Sequence, residues 1–278
     1  VIALLLALGS SLAYGCADFL GGMGARKAHV LRTVTVAAPA SLAVELLLWP
    51  LLGASFSTSA LGWGAASGVA SAAAFALLYR TLAIGPMNVL SPVTALVSAA
   101  LPVGVGLLQG EHLGAVGLVG LPLALFAVVL VSAGHGAGSA RPSGTALLLA
   151  FGAGAAIALQ LVFLHQAPAG SGVAPLIVGR TVSSAVVLSA AGLLRRRLGT
   201  ERPAYAMSAA AGVLDSVANV LFLFAARSGD LTVVAVITGL YPAGTVLLAR
   251  GVLAERIHRS QLVGLGVAAV AVSLLAAA

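Results

Sequence analysis

Charge is what this sequence has least of. It carries 14 Lys+Arg and 7 Asp+Glu in 278 residues, where a soluble domain of that length would carry about 70 charged side chains. With 60% of its residues hydrophobic, the chain cannot cover a water-facing surface. A mean hydropathy of +1.13 excludes disorder as well. The single cysteine, Cys16, allows no internal disulfide, and the Cys/His spacings that hold zinc or iron are missing. His29, His112, His135 and His258 fall in connections and His165 at a helix end, so no metal site is expected. GxSxG, HExxH and the P-loop are absent, and Gly152-Ala153-Gly154 lacks the third glycine of a dinucleotide fingerprint. No catalytic residue and no cofactor is therefore expected, and concentrative work would have to draw on an ion or substrate gradient.

What the chain does have is long apolar runs rich in Ala, Leu and Val. A membrane-spanning helix takes about 20 such residues, so with short connections the length accommodates about ten. A β-barrel would instead alternate apolar and polar residues in segments of about ten. Punctuation by polar and turn residues places the spans at 2–22, 33–53, 60–82, 87–108, 114–133, 143–165, 174–194, 204–226, 231–250 and 260–278. The chain opens on Val1 rather than methionine, which leaves open whether the N-terminus is complete. Leu12-Ala13-Tyr14-Gly15-Cys16 has the look of a lipoprotein cleavage site, but no basic segment precedes it and Tyr14 is bulky there.

The halves repeat. Gly68-Val69 matches Gly212-Val213, Gly85 matches Gly229, Glu111 matches Glu255 and Leu118-Val119-Gly120 matches Leu262-Val263-Gly264, all 144 residues apart. Arg32-Thr33-Val34 recurs as Arg180-Thr181-Val182. The spacing predicts one five-helix repeat over 1–133, a linker over 134–142 and a second repeat over 143–278. Five is odd, so the second copy enters the membrane from the opposite side. The expected fold is an all-α integral membrane protein of ten transmembrane helices in two inverted five-helix repeats.

Twelve of the 14 basic residues lie on one side, including Arg195-Arg196-Arg197 and Arg202; only Arg180 and Arg227 lie on the other. The positive-inside rule makes the basic side cytoplasmic and puts both termini outside. A basic cytoplasmic face accounts for the net charge of +7, and no nucleic-acid partner is implied.

Gly85 to Ala133, with its Gly-Glu-His-Leu step, and Gly229 to Ala277, with Leu240-Tyr241-Pro242 ahead of Glu255, resemble the two halves of an EamA-domain protein of the drug/metabolite transporter superfamily. Tyr14-Gly15 resembles the aromatic-glycine pair of that family's first helix, and Arg32 and Arg180 match the arginine at the start of the second helix of each half. Two departures stand out: Ser98 replaces the counterpart of Pro242, and His112 replaces that of Arg256. The resemblance implies a multi-pass carrier of small molecules in the plasma membrane, expected to be an exporter working by alternating access. It also implies cytoplasmic termini, against the charge count. A channel, or a membrane-embedded enzyme or sensor, is the alternative. Amino acids, other metabolites and drugs all remain open as substrates, as does the oligomeric state.

Depth in the bilayer ranks the candidate site residues, because a charge at the centre costs about 2.5–3.5 kcal/mol on insertion scales and persists where protein or water faces it. Asp215 is central in the eighth span with Asn219 one turn along the same face. Glu45 is central in the second. Tyr14, Gln160 and Tyr241 add hydrogen-bonding groups to the expected substrate or proton pathway. Asp18, Arg32 and Arg180 are expected at a cavity mouth or as positioning residues. Glu111 and Glu255 are expected to cap helices, and Gly64 with Gly68 to pack one helix closely against another.

Overall fold

The computed structural model describes residues 1–84, 87–132, 143–244 and 259–276. Ten α-helices occur among them: α1 (Ile2–Lys27), α2 (Val30–Leu52), α3 (Thr58–Ile84), α4 (Met87–Leu108), α5 (Ala115–Ser132), α6 (Gly144–Gln166), α7 (Ala174–Leu193), α8 (Tyr205–Ser228), α9 (Leu231–Thr238) and α10 (Arg259–Ala276). Six of them, α1, α2, α3, α6, α7 and α8, are long and apolar enough to cross a membrane, and shorter apolar runs occupy the other four. The 134–142 linker, Gly85, and Glu255 with Arg250 and Arg256 lie outside the described residues.

Local chemistry sets several ends. His29 Nδ1 accepts from the Leu31 N–H at the start of α2, Ser57 Oγ from Ala60 N–H at α3, and Ser143 Oγ from Ala146 N–H at α6. Gly53 ends α2 at φ 70°, a backbone conformation that glycine adopts without a Cβ clash. Two elements differ from the sequence expectation. Helix α1 runs five residues further, to Lys27, because Gly21, Gly22 and Gly24 are buried packing positions and not a turn. Helix α9 stops at Thr238; the chain turns at Gly239-Leu240 and is helical again over 241–244. The ninth apolar run is thus interrupted part-way along.

The exterior is far more apolar than that of a soluble protein, and a set of polar residues is buried among the apolar core. Leu5, Leu47, Leu118, Phe126, Leu148, Phe151 and Val263 are exposed, whereas Ser10, Thr33, Ser41, Glu45, Ser67, Arg180 and Asn219 are buried. An apolar surface of this extent suits lipid, and buried hydroxyls and amides join helices through hydrogen bonds.

Packing follows the repeat. Exchanging each helix for the one five places away carries the contact α1·α8 into α6·α3, α2·α8 into α7·α3, α1·α9 into α6·α4 and α1·α3 into α6·α8, while α2·α7, α4·α9 and α5·α10 map onto themselves. The duplicated glycines make the same joint twice. Added as a Cβ, an atom at Gly68 on α3 would collide with Gly179 on α7, and one at Gly212 on α8 with Ala37 on α2. Gly64 continues the first joint, where a Cβ would come within 2.8 Å of Pro175 O. Each half therefore packs mainly against the other, with helices of both contributing to one core that includes Ala7, Leu161, Phe222 and Leu231.

Candidate functional site

The crossed packing of α1, α3 and α4 against α6, α8 and α9 leaves a cavity between the halves. Tyr14, Asp18, Ser71, Phe75, Tyr79 and Ser98 line it from the first half. Ile157, Gln160, Leu161, Asp215, Thr238 and Tyr241 line it from the second. The break after α9 lies in this wall, so the C-terminal end of α9 faces the cavity through Thr238 and Gly239.

Behind one wall sits a buried charge cluster centred on Arg180, whose side chain is 3% exposed. Its Nε lies 3.4 Å from Glu45 Oε1 and its Nη1 donates to Ser71 Oγ at 2.6 Å. Its Nη2 forms an ion pair with Asp215 Oδ2. Ser216 Oγ donates to Glu45 Oε1 at 3.3 Å, and Ser41 Oγ to Asp215 Oδ2 at 3.4 Å. The guanidinium also lies 5.2 Å from the centre of the Phe75 ring, over its face. Four helices, α2, α3, α7 and α8, thus meet at one side chain. The planar fork of arginine suits this role, since each nitrogen can take a different partner.

A neutral chain continues from the charges. Asn219 Nδ2 donates to the Asp215 carbonyl at 2.8 Å, and Asn219 Oδ1 accepts from Gln160 Nε2 at 2.7 Å. Ser67 Oγ in turn donates to the Gln160 carbonyl at 3.2 Å. Of the residues singled out in the sequence, Asp215, Asn219, Gln160, Glu45 and Arg180 come together here. Asp215 and Gln160 also reach the cavity wall, as do Tyr14 and Tyr241.

Of the residues expected at a mouth or in positioning, Arg180 is buried and holds two carboxylates, and Asp18 lies on the cavity wall. With α1 extended to Lys27, Asp18 is inside the helix and on the cavity wall. Arg180 is the seventh residue of α7, turned into the bundle by its carboxylate partners. Arg32 alone of the three remains at an end of the bundle, where its Nε donates to Leu198 O at 3.2 Å and its Nη2 to Gly199 O. At the opposite end Arg227 donates to Gly172 O at 2.8 Å, Pro168 O at 3.2 Å and Ser171 Oγ at 3.1 Å. There the connection after α2 pairs with the one after α6, through Ser55 N–H to Ser171 O and Val173 N–H to Gly53 O.

Sequence reasoning missed Ser71, Tyr79 and Thr238. Ser71 was readable: it is the 144-residue counterpart of Asp215, and both bind Arg180. Tyr79 had no signal, because an aromatic in an apolar run looks the same whether it faces lipid or a cavity. Thr238 became visible only through the helix break beside it.

Residues 144–277 match the model of the EamA-like transporter family. A solved crystal structure aligns with 98% of this chain and 95% of its own at a TM-score of 0.74 and 16% identity, which shows a shared fold. Comparison with curated proteins finds no match.

Proposed function

We propose that this chain, whose residues 144–277 match the model of the EamA-like transporter family, is a secondary active transporter that exports a small metabolite or drug-like solute by alternating access. Multi-pass membrane insertion and transporter kinship stand on the family match and the apolar helices. Export, proton coupling and residence in the plasma membrane are our extension. Residues 1–133 and 143–278 act as the two moving units, joined by 134–142. The symmetric exchange of helix contacts supports that division.

The observation that carries the proposal is the composition of the buried cluster beside the cavity. One guanidinium faces two carboxylates, Glu45 and Asp215. The group carries one negative charge when both are ionised and none when one proton is bound. Moving between those states changes how firmly Arg180 holds α2 and α8 to α7, because leaving one member of a buried ion pair without its counter-charge is strongly destabilising. Asp215 also reaches the cavity, so solute and proton can compete for the same face. Asp215 is the proton carrier in this scheme, and Glu45 keeps Arg180 paired when Asp215 is neutral. Gln160 and Asn219 connect α6 to α8 behind it.

Proteoliposomes screened against a metabolite library test the proposal. A carrier gives counterflow: external labelled solute accumulates transiently against internal unlabelled solute. Sustained single-channel current would make the protein a pore. Neither activity, in protein shown to be inserted and folded, would remove the transporter assignment in favour of an enzyme or sensor.

A further inference from the structure

Among the described residues, one carboxylate that lines the cavity has no ion-pair or hydrogen-bond partner. Three carboxylates sit within the described helices: Glu45 and Asp215 share Arg180, while Asp18 makes no ion pair or hydrogen bond among the described residues. Asp18 lines the cavity together with Tyr14, Tyr79 and Tyr241. Tyr14 lies one turn before Asp18 on the same face of α1. Among the described residues, the hydroxyls of Tyr14 and of Thr238, which is 2% exposed, also have no hydrogen-bond partner. Thr238 also ends α9, placing the negative end of that helix at the wall.

Each of these features favours a positive ligand. A carboxylate partly withdrawn from water is costly until a counter-charge meets it. No Arg, Lys or His is among the described residues that line the cavity, and Arg180, behind the wall, is already held by two carboxylates and a serine hydroxyl. It has little capacity for an anionic solute. Tyrosine ring faces attract cations, and hydroxyl oxygens accept from ammonium N–H groups. The remaining wall, Phe75, Leu78, Ile157 and Leu161, is apolar.

Resting on the transport proposal above, we infer that the solute is an organic ammonium ion with an apolar body. Its ammonium group pairs with Asp18 and donates to the hydroxyls of Tyr14 and Thr238. Its hydrocarbon portion lies against Phe75, Leu78, Ile157 and Leu161.

Binding to the purified, detergent-solubilised chain by calorimetry tests this with three probes of one shape: phenethylamine, 2-phenylethanol and 3-phenylpropionate. Wild type should bind the amine at least tenfold more tightly than the alcohol, and the acid least. Asp18→Asn, with an unfolding temperature near that of wild type, should weaken the amine about 10–100-fold, the range for a hydrogen bond to a charged group. The alcohol should be little affected. Preference of wild type for the alcohol or the acid overturns the inference, as does binding of none of the three; neither result depends on how the variant folds. Unchanged amine binding in folded Asp18→Asn overturns it too. The two proposals fail separately. Protein that exchanges some library solute yet does not bind the amine remains a transporter with a different substrate class. Protein that binds the amine through Asp18 yet exchanges nothing keeps the cation site and loses the transport assignment.

Discussion

Ser71 on α3 and Asp215 on α8 stand at equivalent positions of the two repeats, 144 residues apart, and bind different nitrogens of one guanidinium, that of Arg180. The duplication supplied two matching positions, and only one became acidic. That asymmetry gives the cluster its excess carboxylate, and it lies at the interface between the halves, where a change of charge bears directly on their packing.

Removing the shared cation should damage the fold more than removing either anion. Arg180→Ala leaves Glu45 and Asp215 buried without a counter-ion, a change that costs about 3–5 kcal/mol. The apparent Tm in detergent should fall by roughly 10 °C. Glu45→Gln, which leaves Arg180 paired with Asp215, should lower it by less. Differential scanning fluorimetry of both variants gives the order, and the reverse order would show that Arg180 is not the keystone of the cluster.

Glu111 should prove a helix cap rather than a transport residue. Its carboxylate oxygens accept from the N–H groups of Leu231 and Thr232 at 2.6 and 2.8 Å, at the start of α9. Loss of such a cap costs about 0.5–2 kcal/mol. Glu111→Ala should therefore lower thermal stability measurably and leave the ratio of accumulation to exchange unchanged. A variant with normal stability and altered coupling would place Glu111 in the proton path.

The paired glycines predict matching effects in the two halves. Gly68→Val and Gly212→Val each force a side chain into the backbone of the facing helix, and overpacking of this kind costs about 1–3 kcal/mol. Both should reduce the yield of folded protein, whereas Gly62→Val, at a position with open space around it, should not. Normal yield from either inner variant would mean that the halves pack less closely than described.

Much of the fold was legible because the bilayer simplifies the pattern: apolar runs and the polar punctuation between them mark helices, and the repeated Gly-Val and Glu positions mark the duplication. The end of α1 was not, since glycines that pack against Tyr79 and Thr33 read like glycines of a turn. That placed Asp18 near the end of α1 instead of within it. Asp215 and Glu45 stood out as charges at depth, but their meeting at Arg180 is a contact between residues 35 and 135 positions apart. Arg32 and Arg180 share a motif and not a role, because their neighbours differ: loop carbonyls around Arg32, carboxylates around Arg180.

Orientation follows from the same charge asymmetry. The positive-inside rule predicts that the exposed stretch Arg195 to Arg202 is cytoplasmic, against the family pattern. Thr200→Cys in a Cys16→Ser background avoids the positive φ of Gly199. The new thiol should resist an impermeant maleimide added outside intact cells and react once the membrane is opened. Labelling from outside would reverse the topology.

The most direct measurement of the central claim is transport by Asp215→Asn in proteoliposomes, with the solute that wild type exchanges. Asparagine reproduces the shape of a protonated aspartate and leaves Arg180 paired with Glu45, so the protein should still fold and bind. Without a proton to release, it should exchange labelled for unlabelled solute at a rate near that of wild type and fail to accumulate solute under an imposed pH gradient. Accumulation at the wild-type level would contradict the account, since the driving proton would then have to ride on another group.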